Sequence, residues 1–459
     1  QVDNLLTALA LPSVPMRSYL DANEQRLTSL INRPVFDLGG TADAHVDVYN
    51  YPGVKEGDTI ITIRGVGMNM LYARWPYPMT VQDGKLIIRI GENVEIVGGV
   101  GKGVTGGIVT IDGKVEVNED ARRMEPKLKV TGKNAPIDDF LIASIPAASA
   151  RWVRSLKLDG MLQADGRIFT DDEGETDFRI GITLAGGKAQ PNGGQYTLDR
   201  VEGSLTVHPG GVDIQAVTGR RGESVLKVSS NDEATTGVAG VTLEGTKMQF
   251  DDPLLDLIPH DDPARAQLDR LLTTYKPSGE FDFKLSDTRQ TDGLLDYRFE
   301  IHPRSLTFTL HGQEVAVKEA TGWAEVSRDR VVLHDLAGRF PDGQFRIDGS
   351  FSSSGAGKVN LNFDIESEQF CRVTRVLVPP PAVSVIDALQ FAGRYKVTGA
   401  TLTMDPQSPD EVLTFHAPVQ LKDADAMVGV KLSEFSGDLE VAVTKQREGG
   451  RKVAMQVLK

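Results

Sequence analysis

The run Gly98-Gly-Val-Gly-Lys-Gly103 is the part of this chain most like a chemical device. Backbone N–H groups in such runs cradle phosphate when the pattern is Gly-x4-Gly-Lys-Ser/Thr between a strand and a helix. Here Lys102 is followed by Gly103, and strand-like sequence lies on both sides. The corresponding segments further along are Thr218-Gly-Arg-Arg-Gly-Glu and Ala337-Gly-Arg-Phe-Pro-Asp-Gly. A position that accepts all three reads as a turn. The seven histidines, His45, His208, His260, His302, His311, His334 and His416, show no His-x-x-x-His spacing for a metal. Cys371 sits among apolar residues without a local base, which predicts an inert buried thiol. Asp171-Asp-Glu-Gly-Glu175 lacks the alternating ligands of a calcium loop and reads as a solvated hairpin tip. Gly-x-Ser-x-Gly is absent. The expectation is a protein without catalytic residues, metal or cofactor, and not an enzyme.

What remains is apolar side chains at period two. Leu86, Ile88, Val94 and Ile96 form one set, and Leu205, Val207, Val212, Ile214, Leu226 and Val228 a second. Val326, Val331, Leu333, Phe345 and Ile347 form a third. Such alternation, with glycine turns every eight to twelve residues, describes antiparallel sheet with one apolar face. These residues either pack a closed core or line an open trough. Only short helices accompany each set, and they are too few to cover a sheet of roughly six strands. An uncovered apolar face of that size marks a binding surface.

The elements that hold these residues recur. Gly84, Gly203 and Gly322 are 119 residues apart each time, and Gly437 follows 115 later. Gly101, Gly219 and Gly338 keep the same interval to within one residue. The repeats divide the chain into residues 1–131, 132–244, 245–366 and a truncated fourth copy, 367–459. In the second copy Asp138-Asp139 begins a short helix to Ile145, and Ala148 to Leu156 forms another. Six strand-like runs follow, from Lys157 to Gln249. In the third copy Asp252-Pro253 and Asp262-Pro263 are helix starts, because Asp caps and Pro suits the first helical position. Asp21 to Ile31 and Ala382 to Gln390 are the equivalent helices of the first and fourth copies. Four units of one helical crossover and about six strands give on the order of 24 strands, too many for an open sheet that does not curl. The predicted class is mainly β with short helices, stacked into an elongated, curved, solenoid-like β-groove of roughly 110 Å.

Composition limits the partners. The chain has 50 Lys and Arg against 64 Asp and Glu, a net charge of −14. That excess argues against nucleic acid, which needs clustered cations, and against electrostatic docking on an anionic membrane. One cysteine permits no internal disulfide, so an oxidising compartment is allowed but not indicated. No apolar stretch reaches 18 residues and no signal peptide is seen. The chain opens on Gln1 and reads as a window of a longer protein.

The glycine module carries a resemblance. Leu198-Asp-Arg-Val-Glu-Gly-Ser-Leu-Thr-Val, Gly211-Val-Asp-Ile-Gln-Ala-Val-Thr-Gly and Ser224-Val-Leu-Lys-Val resemble the strand–turn–strand pattern of AsmA-like proteins, relatives of TamB. Val317-Lys-Glu-Ala-Thr-Gly-Trp-Ala-Glu-Val, Val331-Val-Leu-His-Asp-Leu-Ala-Gly and Gly343-Gln-Phe-Arg-Ile-Asp-Gly do the same, as does Leu271-Leu-Thr-Thr-Tyr-Lys-Pro-Ser-Gly-Glu-Phe-Asp-Phe. The fourth copy departs from it, with Arg447-Glu-Gly-Gly-Arg451 in place of a tight turn. The resemblance implies a β-groove that carries phospholipid or another acyl lipid between the membranes of a diderm bacterium. It implies a place in the periplasm, an anchor outside this window and membrane proteins as partners at the groove ends. It carries over no catalytic residue. The fifteen apolar residues named above are then the expected groove lining. The alternative is an architectural β-solenoid, a surface stalk or adhesin with a closed dry core.

Overall fold

The computed structural model describes residues 36–457 except 50–57, 66, 73–74, 90–91, 119–122, 146, 210, 232–239, 258–262, 290–294, 311, 328–329, 353–356, 370–382, 384–386, 389, 407–410, 428 and 447–450. The helix expected at Asp21 to Ile31, most of that at Ala382 to Gln390, Cys371, His260, His311 and the turn at 447–450 lie outside the described residues. The chain forms two compact units, residues 1–221 and 222–459.

Among its described residues the first unit is an antiparallel sheet with one α-helical insertion. Its strands are β1 (Phe36–Gly39), β2 (Ala42–Tyr49), β3 (Asp58–Gly65), β4 (Asn69–Tyr72), β5 (Trp75–Arg89), β6 (Asn93–Gly103), β7 (Ile108–Asn118) and β8 (Arg123–Pro136). Helices α1 (Asp139–Ser144) and α2 (Ala147–Leu156) follow. Then come β9 (Asp159–Thr170), β10 (Thr176–Ala189), β11 (Leu198–His208) and β12 (Gly211–Arg221). From β5 onward each strand pairs with the next. The other edge of β5 is shared by β3 and β4, which pair with β2 and β1. As the sequence predicts, α1 starts at an acidic cap: the Asp138 carboxylate accepts the Leu141 N–H at 2.8 Å.

The second unit repeats the plan. Strands β13 (Ser224–Asn231) and β14 (Gly240–Gln249) lead to a 3-10 turn, Asp252–Leu257, and to helix α3 (Pro263–Tyr275), with Pro at its first position. The strands then run β15 (Ser278–Arg289), β16 (Leu295–Leu310), β17 (Gln313–Val326), β18 (Arg330–Phe340), β19 (Gly343–Ser352) and β20 (Val359–Ser367). The last four are β21 (Ala392–Met404), β22 (Glu411–Met427), β23 (Lys431–Gln446) and β24 (Arg451–Val457). Each pairs antiparallel with its successor. The fold is mainly β with short helices, as read from the sequence.

The repeat is visible in strand number. Gly84 lies in β5, Gly203 in β11, Gly322 in β17 and Gly437 in β23, six strands apart each time. Gly101, Gly219 and Gly338 fall in β6, β12 and β18. Each of these second glycines lets a neighbouring side chain close over it. A Cβ would stand 3.3 Å from Met79 Sδ at Gly101, 3.1 Å from Leu198 Cβ at Gly219 and 2.3 Å from Val317 Cγ1 at Gly338.

β-Bulges also recur, and each bends its strand. At Gly98, Lys247, Gly399 and Glu434 the backbone turns to positive φ, between 53° and 67°. In every case an aspartate receives the exposed N–H: Asp112 at 2.6 Å, Asp282 at 2.8 Å, Asp364 at 2.7 Å and Asp425 at 3.0 Å. These carboxylates help hold two non-glycine residues in a conformation that costs an L-residue energy.

Candidate functional site

Cross-strand register places the fifteen predicted apolar residues on one face of each unit. In the first unit Leu86 and Ile88 of β5 stand opposite Ile96 and Val94 of β6. Leu205 and Val207 of β11 stand opposite Ile214 and Val212 of β12. The rows continue between them. Ile96 leads through Gly113 and Leu128 to Ile168, and Val207 leads back through Ile180, Gly166 and Val130 to Ile111. In the second unit Val228 begins the row Leu243, Leu285, Phe299, Val326, Val331, Phe351 and Val359. Leu226 leads through Gly245, Phe283, Ile301 and Ala324 to Leu333. Ile347 and Phe345 face Phe363 and Ile365 across β19 and β20. Thirteen of the fifteen keep partial solvent exposure, and only Ile88 and Leu226 are buried.

The same face has a buried end, the base, beside the helical insertion. Phe140 and Leu141 of α1 pack on Tyr77, Met79, Val109 and Val130. In the second unit Phe250, just ahead of the 3-10 turn, stacks on Phe281 with ring centroids 4.1 Å apart. Sequence reading passed over the base residues, although they keep the same interval. Tyr77, Tyr196 and Val315 stand 119 residues apart and are each 1% exposed. Burial also pushes the Tyr77 hydroxyl above its usual range, against a hydrogen bond with Thr105 that lowers it. Ile61, Ile63, Ile180, Ile182, Phe299 and Ile301 also belong to the trough rows, and their period-two spacing was available to find them.

The opposite face is polar. All five described histidines lie on it with acidic neighbours. His45 is 3.0 Å from Asp47, His208 is 3.3 Å from Asp213, and His416 is hydrogen-bonded to Glu440. His302 and His334 sandwich Trp323, and Arg298 bridges Glu300 and Glu325 at 3.2 and 2.9 Å. Among the described residues no three His, Cys, Asp or Glu side chains converge as a metal site. The Gly98–Gly103 run lies within β6, and the Asp171–Glu175 turn is closed by its own Asp171 carboxylate on the Glu175 N–H at 2.7 Å. No described helix is long and apolar enough to cross a membrane.

Each unit therefore presents a surface and not a cleft: an apolar face with aliphatic and aromatic rows and a buried base. Compared with protein-family models, curated proteins and solved structures, the chain matches none.

Proposed function

We propose that this chain is a lipid-binding groove segment of an AsmA-like envelope protein, bridging membranes for phospholipid transport or outer-membrane biogenesis. The observation that carries this reading is the apolar face of each unit, whose trough residues stay partly open to solvent. An acyl chain seated there removes water from both surfaces, at about 0.8 kcal/mol per methylene. In this reading the protein works in the periplasm of a diderm bacterium, held by a membrane segment outside this sequence and met at its ends by membrane proteins. The role is binding and conduction, not catalysis.

The test is native mass spectrometry and lipid extraction of the purified chain, with Val207→Asp and Val326→Asp as probes. The expected result is co-purifying acyl lipid on the parent, and two folded variants that have lost it. A carboxylate in an open trough stays hydrated, whereas one forced into a dry core is left unpaired. A parent free of lipid, with both variants unfolded, returns the chain to the architectural reading. One stretch already has the character of a stalk: across β20 to β23 the inward side chains form a joined cluster that includes Ile365, Val397, Phe415 and Val443.

A further inference from the structure

That filled stretch has a local cause. Leu184 stands opposite Gly203, and Leu421 stands opposite the equivalent Gly437. Six residues before each leucine is a phenylalanine, Phe178 in β10 and Phe415 in β22. Their rows match: Leu128, Ile168 and Phe178 in the first unit, Leu361, Leu402 and Phe415 in the second. Yet Phe178 is partly exposed and Phe415 is only 5% exposed.

The neighbouring row explains the difference. Where Val130 faces Gly166 in the first unit, Phe363 faces Ala400 in the second. β20 and β22 are separated by one strand, about 9.6 Å at ordinary ladder spacing. The rings of Phe363 and Phe415 nevertheless stack with centroids 5.9 Å apart and planes 18° apart. They lean toward each other over β21, where Ala400 leaves room and is 0% exposed. Around them Ala417 and Val443 are each 3% exposed, on the face that elsewhere forms the trough.

We infer that Phe363 and Phe415 form a stop in the trough across β20 to β22. An apolar chain lying on β16 to β19 ends there, so this pair sets the length of chain the second unit accepts. The ligand in this statement rests on the lipid-binding reading, and the closure rests on the geometry alone.

Thiol accessibility separates the two. In a Cys371→Ser background, single cysteines at Val331 and Ala417 are exposed to a small charged maleimide. The Ala417→Cys thiol should react about tenfold slower or more than the Val331→Cys thiol, because a buried thiol reacts only through local opening. Adding Phe363→Val or Phe415→Ala should raise its rate toward that of Val331→Cys. Should Phe415→Ala melt out, Phe363→Val, which installs the first unit's residue, still carries the test. The stop is overturned if Ala417→Cys reacts as fast as Val331→Cys in the parent, or if a folded Phe363→Val leaves its rate unchanged. A photoreactive fatty acid gives the second arm. It should crosslink at position 331 but not at 417, and at both once Phe363 is Val. No crosslink at any position, with thiol rates as stated, removes the lipid reading and leaves the stop standing.

Discussion

Val201 and Val207 lie on the same strand and the same face, yet Val201 is buried and Val207 is half-open. The same contrast holds along β17, where Val315 and Val317 are buried and Val326 is not. In the first unit the base end lies beside α1, which packs on Tyr77, Met79, Val109 and Val130, and the other end forms the trough. The residue types are alike, so hydrophobicity does not separate the two regions. What separates them is their place along the strand, at the base end or at the trough end. β23 reverses the pattern: Phe435 near its base end is partly exposed, while Val443 at the far end is buried. There Val443 belongs to the buried cluster that holds Phe415 and, packed against it, Phe363.

The largest expected effect tests whether stability resides in the base. Phe281→Ala removes a ring buried between Phe250 and Phe283. It should cost about 3–5 kcal/mol, read by denaturant unfolding of the second unit. A loss no greater than that at a trough position would erase the distinction.

A bulge lies between the two regions of β17. Gly322 has φ +79°, and a Cβ there would stand 2.3 Å from the Asp335 carbonyl oxygen. Gly322→Ala should cost about 1–3 kcal/mol, with the loss measured by thermal melting. An unchanged melting temperature would mean that the bulge is free to relax.

A smaller and pH-dependent effect is expected at Asp282. Burial pushes its carboxyl up, but the Arg304 guanidinium, at 3.0 and 2.7 Å, and the Lys247 N–H hold it below the usual range. A carboxylate depressed in the folded state stabilises above its unfolded pKa and loses that contribution as pH falls through both values. Asp282→Asn should therefore cost about 1 kcal/mol at neutral pH, allowing for solvent screening, and progressively less below about pH 4. An equal cost at pH 7 and pH 3 would assign the effect to shape and not to charge.

The smallest effect belongs to the trough. Val207→Ala should cost less than about 1 kcal/mol, since its methyl groups are only partly withdrawn from water. A loss as large as that of Phe281→Ala would show a trough packed as tightly as the base.

Much of this was legible in the residues. The glycine interval marked strands six apart, and Asp138 and Pro263 marked helix starts, because both signals are local. The bulges at Lys247 and Glu434 were not. Nothing nearby in sequence favours positive φ at a lysine, and the carboxylate that accepts its N–H, Asp282, lies 35 residues on. Nor could the sequence separate Phe178 from Phe415. Their own spacing is the same, and only the residue two strands away, Val130 or Phe363, decides whether the ring is covered.

Six is an even number, and that has a consequence within each unit. In an antiparallel sheet every second strand runs the same way, so a six-strand period brings the chain back to its starting direction. An insertion made once per such period would arrive at the same end of the strands. An odd period would send successive insertions to opposite ends, and each would land on what had been the open side. Within a unit, a six-strand period thus preserves a distinction between top and bottom that no single residue encodes.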